Sequence, residues 1–235
     1  MEEIHVTAIV LAAGKGSRMQ SDVPKQYMLI EEKPVLYYSL KSFEESSVDD
    51  IVLVVSESDV SFCEKNIVDK YHLNKVKMVV AGGSERYWSV KNGLLAARGA
   101  DCVLIHDAAR PCLTVDVIER TIESVKENGA CTVGVPVKDT IKMVDDRGYG
   151  IDTPPRKYLW QVQTPQAFFY NDIVEAYRLM EQSDDTDITD DTMIMERYLN
   201  KKTKTIFGDY CNLKITTSED LLIAEVFLKK SKKSC

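Results

Sequence analysis

Short apolar runs rich in Val and Ile alternate along this chain with longer stretches in which apolar residues return every three or four positions. The first pattern suits strands covered on both faces, and the second suits helices with one buried side. Strands are predicted in the run opening at Val6 and at Asp50–Ser56, Val76–Ala81, Asp101–His106, Ala130–Val135 and Lys204–Phe207, with a short one at Asn212–Thr216. Helices are predicted at Pro34–Glu45, Ser58–Lys70, Ser84–Arg98, Thr114–Asn128, Asn171–Gln182, Thr189–Leu199 and Ser218–Lys230. Pro34 suits a helix start, and Ser84 and Asn171 read as caps. Glu219 and Asp220 complement the start of the last helix, as its lysines do the end. Alternation of this kind implies βαβ units, so the expected fold is α/β, a doubly wound and mainly parallel sheet in one domain over residues 1–235.

Residues 138–160 break the rhythm. A β-like piece at Thr140–Val144, a turn over Asp145–Gly150 and the sequence Thr153-Pro154-Pro155 are too irregular for another βα unit. The segment reads either as a protruding β-arm that pairs with a second subunit or as a surface excursion over its own domain.

Composition narrows the function. The 235 residues carry a formal net charge of -7, which argues against non-specific affinity for nucleic acid or anionic membrane and makes local clusters of cations informative. Six cysteines show no C-x-x-C pair and no zinc-type grouping. With no signal-peptide pattern and no run of transmembrane length, the expectation is a reduced, cytoplasmic protein.

The first apolar run passes into a loop holding Gly14, Lys15, Gly16 and Arg18, with Lys25 beyond. Glycines let backbone approach a ligand closely, and cations beside exposed N–H groups suit a polyphosphate; a solvated basic turn is the alternative. Met19 stands where a dinucleotide fingerprint needs its third glycine, and the spacing of a P-loop is absent. Gly82-Gly83-Ser84-Glu85-Arg86 places a second glycine loop before a helix, where free N–H groups can meet a nucleotide. The fourth strand ends in His106-Asp107-Ala108-Ala109-Arg110-Pro111, at the sheet edge where open α/β folds bind ligands. Asp107 there can hold a metal or a ribose hydroxyl, Arg110 can meet phosphate or fix the carboxylate, and His106 reads as structural. Arg156, Lys157 and Lys214 can bind a second anionic substrate or serve as surface charge. The acidic run 184–191 lacks the glycine of an EF-hand, so helix capping is its better reading, with Thr189 or Asp190 also reaching a substrate. No nucleophile elbow and no Cys–His pair is present, which suits an acceptor that is itself a phosphate and needs no activating base.

The segments Leu11–Met19, Pro24–Gln26, Gly82–Arg86, His106–Pro111, Val137–Thr140, Leu159–Trp160, Gln163–Gln166, Ile188–Asp190 and Asn212–Thr216 run in the order seen in sugar-phosphate nucleotidyltransferases. Among these the chain most resembles the 2-C-methyl-D-erythritol 4-phosphate cytidylyltransferases. The resemblance implies a Rossmann-like nucleotidyltransferase that uses CTP, methylerythritol phosphate and Mg²⁺ and releases pyrophosphate. It implies that Arg18 and Lys25 stabilise the reacting phosphates, and that Arg156 and Lys214 position the sugar-alcohol phosphate. Ala12, Ala13, Gly14, Gly83, Ser84 and Ser89 match contacts to CTP. Asp107, Arg110, Thr140 and Thr189 match the ribose and substrate neighbourhood, with Asp107 also the candidate metal ligand. It further implies a homodimer in which the 138–160 arm carries Thr140 and Arg156 into the partner's site. The ribitol 5-phosphate enzyme shares these motifs but tends to have Gly and Val where this chain has Ala13 and Ala109, and this chain also carries Leu159-Trp160. A non-catalytic nucleotide binder on the same fold is the remaining alternative, one that would not need both cation pairs and Asp107.

Overall fold

The computed structural model describes residues 4–14, 23–183, 185 and 187–231. In chain order its strands are β1 (Val6–Leu11), β2 (Leu29–Ile30), β3 (Lys33–Pro34), β4 (Asp50–Val55), β5 (Val76–Ala81), β6 (Cys102–Asp107), β7 (Ala130–Pro136), β8 (Met143–Val144), β9 (Gly150–Asp152), β10 (Trp160–Phe169) and β11 (Lys204–Phe207). The helices are α1 (Val35–Glu44), α2 (Val60–Cys63, continued by a π-helical stretch Glu64–Asp69), α3 (Arg86–Ala96), α4 (Val115–Asn128), α5 (Tyr170–Met180), α6 (Asp191–Leu199) and α7 (Ser218–Ser231).

Seven strands form one sheet in the order β11-β7-β10-β6-β1-β4-β5. All neighbours are parallel except β10, which runs antiparallel to both β6 and β7. Alternate side chains along β1 serve opposite faces: Ala8 and Val10 join a core with α1 and α4, and Ile9 joins one with α3, α5 and α6. A third, smaller core seats α7 against Ile30, Val35, Tyr38, Cys112 and Ile215. Leu11 pairs with Asp107 across β1 and β6 and with Val54 across β1 and β4, so the loops after these strands leave the same edge of the sheet.

The doubly wound α/β reading holds, with three local corrections. Strand β10 is absent from the sequence prediction because its core residues include Gln163, Thr164 and Gln166, which are buried but polar. They are satisfied individually; Gln166 donates to Asp190 Oδ2 at 2.9 Å and accepts from the Asp191 N–H at 3.0 Å. Residues 212–216 are irregular rather than a strand. Ser84 and Asn171 are not caps: α3 begins at Arg86 after Glu85 and α5 at Tyr170 after Phe169, neither with a side-chain cap. Thr114 does cap α4 by accepting from Val117 N, and Asp190 caps α6 by accepting from Met193 N at 2.9 Å.

Within 138–160, β8 and β9 form a separate two-stranded hairpin. Its turn is tied by Asp145 Oδ1, which accepts from the N–H groups of Arg147 and Tyr149 at 3.0 and 2.8 Å.

Candidate active site

A cavity of about 640 Å³ opens at the carboxyl edge of β1, β5 and β6. Ala12, Ala13 and Gly14 line it from the loop after β1, and Gly82, Gly83 and Ser84 from the loop after β5. These two loops touch. A Cβ on Gly82 would lie 2.5 Å from Ala13 Cβ and 2.7 Å from Ser89 Oγ, and one on Gly83 would lie 2.3 Å from Trp88 Cβ. Only glycine lets the second loop pass so close. Ser89 fixes it there, accepting from Gly83 N at 3.0 Å and donating to the Glu85 carbonyl at 3.2 Å. A Cβ on Gly14 would meet nothing within 4 Å among the described residues.

Two cations enter from elsewhere. Lys25 lies on a 3₁₀ turn whose neighbour Gln26 is buried and donates to the Ala12 carbonyl at 2.8 Å, binding the turn to the first loop. Lys25 Nζ donates to the Ile215 carbonyl at 2.9 Å, and the adjacent Lys214 pairs with Asp107 Oδ2 at 2.6 Å. The other Asp107 oxygen accepts from Arg86 Nε at 3.2 Å. Arg86 is itself clamped by Asp191, Nη1 at 3.1 Å and Nη2 at 2.8 Å, and Asp191 also accepts from Tyr177 Oη at 2.7 Å. Burial alone would push the Asp107 pKa up. Arg86 and Lys214 outweigh it and hold the carboxylate well below its usual range, so it is ionised at neutral pH.

The cavity thus gathers Ala12, Ala13, Gly14, Lys25, Gly83, Ser84, Ser89, Asp107 and Lys214 of the residues expected from sequence. Arg18 lies outside the described residues, as does Lys15. Arg110 does not line the cavity; it is buried behind the wall, with Nη1 donating to the Asn212 carbonyl at 2.7 Å. Thr140 and Arg156 are exposed on the arm segment, where Arg156 Nη1 donates to the Lys138 carbonyl at 2.6 Å. Thr189 is exposed just before α6 and likewise does not line this cavity. The clamp of Arg86 by Asp191 has no signature in any local motif, because its partners stand 105 residues apart. The only hint is Arg86 beside the Gly82-Gly83 pair. Among the described residues no three metal-binding side chains converge, at Asp107 or elsewhere.

Residues 6–230 match the family model for 2-C-methyl-D-erythritol 4-phosphate cytidylyltransferase. The chain belongs to that family. It is 48% identical over 225 residues to the enzyme of that name from Lachnoclostridium phytofermentans, covering 96% of this chain and 97% of the relative. It is 49% identical over 233 residues to the one from Alkaliphilus oremlandii, covering 97% and 98%. The crystal structure of 4-diphosphocytidyl-2C-methyl-D-erythritol synthase from Anaerococcus prevotii superposes with a TM-score of 0.84 at 33% identity, covering 96% of each chain. As a member of this cytidylyltransferase family the chain is a nucleotidyltransferase, and the family's mostly parallel α/β sheet is the one seen here. No helix among its described residues is long and apolar enough to cross a membrane.

Proposed function

We propose that this protein transfers the cytidylyl group of CTP to 2-C-methyl-D-erythritol 4-phosphate, giving 4-diphosphocytidyl-2-C-methyl-D-erythritol and pyrophosphate, a step of isoprenoid precursor synthesis. The observation that carries the reading, beside family membership, is that Lys25, bonded to the Ile215 carbonyl, and Lys214, paired with Asp107, lie in one glycine-walled cavity. A phosphate oxygen of the acceptor attacks the α-phosphorus of CTP in line with the departing pyrophosphate. One P–O bond forms and the α–β bridging P–O bond breaks. The nucleophile arrives ionised, so no general base is needed, and catalysis is positioning plus charge stabilisation.

Backbone groups of Ala12, Ala13, Gly14, Gly83 and Ser84, with Ser89 behind them, hold the nucleotide, and Asp107 receives the ribose. Lys25, with Arg18, neutralises charge on the α-phosphate and the leaving group. Lys214 takes the acceptor phosphate. Mg²⁺ fits this cavity, which Asp107, Glu57 and Glu85 line without a cage among the described residues, because this ion is commonly held by substrate phosphates, waters and one or two carboxylates. Asp107 is the protein group that would share it, and the ion would supply charge neutralisation of the triphosphate. Thr140 and Arg156 serve the site of a second subunit through the 138–160 arm, with Arg110 and Thr189 supporting from outside the cavity.

The test is incubation with CTP, Mg²⁺ and methylerythritol phosphate, with ribitol 5-phosphate in parallel. Stoichiometric pyrophosphate and cytidylylated methylerythritol are expected. Pyrophosphate only with ribitol phosphate, or with neither acceptor, would overturn the reading.

A further inference from the structure

Behind the wall of the cavity, four residues from three segments close a ring of buried hydrogen bonds. Thr164 Oγ1, on β10, accepts from the Asp107 N–H at 3.1 Å and meets His106 Nδ1 at 2.9 Å. His106 Nε2 faces the Arg110 carbonyl at 3.4 Å, the longest link; a carbonyl only accepts, so Nε2 carries the ring proton and Nδ1 accepts from Thr164. Arg110 Nη1 donates to the Asn212 carbonyl at 2.7 Å. Asn212 Nδ2 donates to the Thr164 carbonyl at 2.9 Å and closes the circuit. His106 and Asn212 are fully buried, Thr164 and Arg110 nearly so, and none of the four lines the cavity.

The His106 imidazole, donating at Nε2 and accepting at Nδ1, is neutral in this arrangement. Its ring also packs edge-to-face on Phe43, with centroids 5.4 Å apart. Three links join different pairs of segments, and the fourth, His106 to Arg110, lies within one, so His106 meets the 212–216 segment through Arg110. The ring ties the end of β6, which carries Asp107, to β10 and to the irregular 212–216 segment, which carries Lys214. That segment has no strand ladder of its own to fix its height above the sheet. Its described backbone anchors include the Ile215 N–H to the Ala109 carbonyl at 2.8 Å.

We propose that His106 is a positioning residue, which as the neutral Nε2–H tautomer closes this ring and so sets Lys214 against Asp107 at the distance the acceptor phosphate requires. The inference rests on the assignment of Lys214 to the acceptor phosphate made above. An ordinary core histidine would contribute stability and nothing that distinguishes one substrate from the other.

Two measurements test it. On the uniformly ¹⁵N-labelled free protein, long-range ¹H–¹⁵N correlation of His106 should give an unprotonated Nδ1 and a protonated Nε2. The opposite tautomer would break the ring as drawn and overturn the proposal. In kinetics, His106→Phe keeps the ring's volume and its contact with Phe43; it should raise KM for the sugar phosphate at least tenfold and leave KM for CTP within twofold. Asn212→Ala should do the same, and the double variant should be little worse than either alone, because both open one circuit. Equal effects on both substrates, or multiplicative effects in the double variant, would overturn it. If His106→Phe does not fold, His106→Leu, which can make neither bond, replaces it in the same cycle. Should the native enzyme make no product from methylerythritol phosphate, the functional reading fails visibly, while the tautomer still decides the ring.

Discussion

Asp107 and the paired glycines 82 and 83 are legible in the sequence because each is bound to a local pattern, a strand end in one case and a loop before a helix in the other. Their physical reasons are not local. Gly82 is required by Ala13 Cβ, 2.5 Å from where its own Cβ would stand. Gly82→Ala should therefore displace the loop after β1 and raise KM for CTP by tenfold or more with a smaller effect on the sugar phosphate, which steady-state kinetics with each substrate varied would reveal. Arg86 shows the opposite case: it sits within a recognised segment, yet its role as the bridge between Asp107 and Asp191 depends on folding. A second residue-scale prediction comes from the β2–β3 turn, where Glu31 and Glu32 hold φ of 44° and 66°. A side chain in the left-handed region costs roughly 1–2 kcal/mol, partly offset on changing to glycine by its larger unfolded-state entropy of about 0.5–1 kcal/mol. Glu32→Gly should stabilise the protein by about 0.5–1 kcal/mol in urea unfolding, and a loss of stability would refute the strain argument.

At the scale of elements, the predicted strands inside the sheet that survive, β1, β4, β6 and β7, are those whose burial is mostly apolar. Strand β10 lies at the middle of the sheet but was hidden, since glutamines and threonine occupy positions where a sequence reading expects Val or Ile, each satisfied by a partner distant in sequence. The 212–216 segment fails in reverse, with β-like residues but no neighbouring strand to pair with. Beside the buried ring, α7 holds it. Asp220 accepts from Thr216 N at 2.8 Å, Thr216 Oγ1 at 2.7 Å and Thr217 N at 2.9 Å, while Leu221 and Ala224 pack beside Ile215. Asp220→Ala should cost about 1–2 kcal/mol, the range for losing a helix cap, and loosen the neighbouring Lys214. Burial opposes ionisation of Asp220, but the bonds from Thr216 and Thr217 win and its pKa is lowered. A lowered carboxylate pKa stabilises the fold above the ordinary value of 3.8 and loses that contribution as pH falls below it. The gap in unfolding free energy between native protein and Asp220→Ala should be full at pH 7 and shrink at pH 3; a gap constant with pH would remove the carboxylate from the account.

For the molecule as a whole, the alternating pattern of strands and helices made the doubly wound fold readable, and the 138–160 segment stood out by breaking it. The hairpin exposes Met143, Val144, Tyr149 and Ile151, an apolar load that a lone two-stranded ribbon in water does not support by itself. In the proposed dimer a second copy of the chain would cover it and receive Thr140 and Arg156 at its own cavity. Ile151→Asp should then shift the protein toward monomer in sedimentation velocity and lower activity in parallel. The stricter test separates a shared site from a self-contained one. Lys25→Ala and Arg156→Ala subunits should each be nearly inactive alone. If the arm serves the partner, a mixed dimer holds one site with both defects and one with none, because the intact Arg156 comes from the Lys25→Ala subunit. Random re-association of equal amounts would then restore about a quarter of the native activity, half the dimers being mixed with one good site in two. If Arg156 acted within its own chain, every site in the mixture would carry a defect and no activity would return.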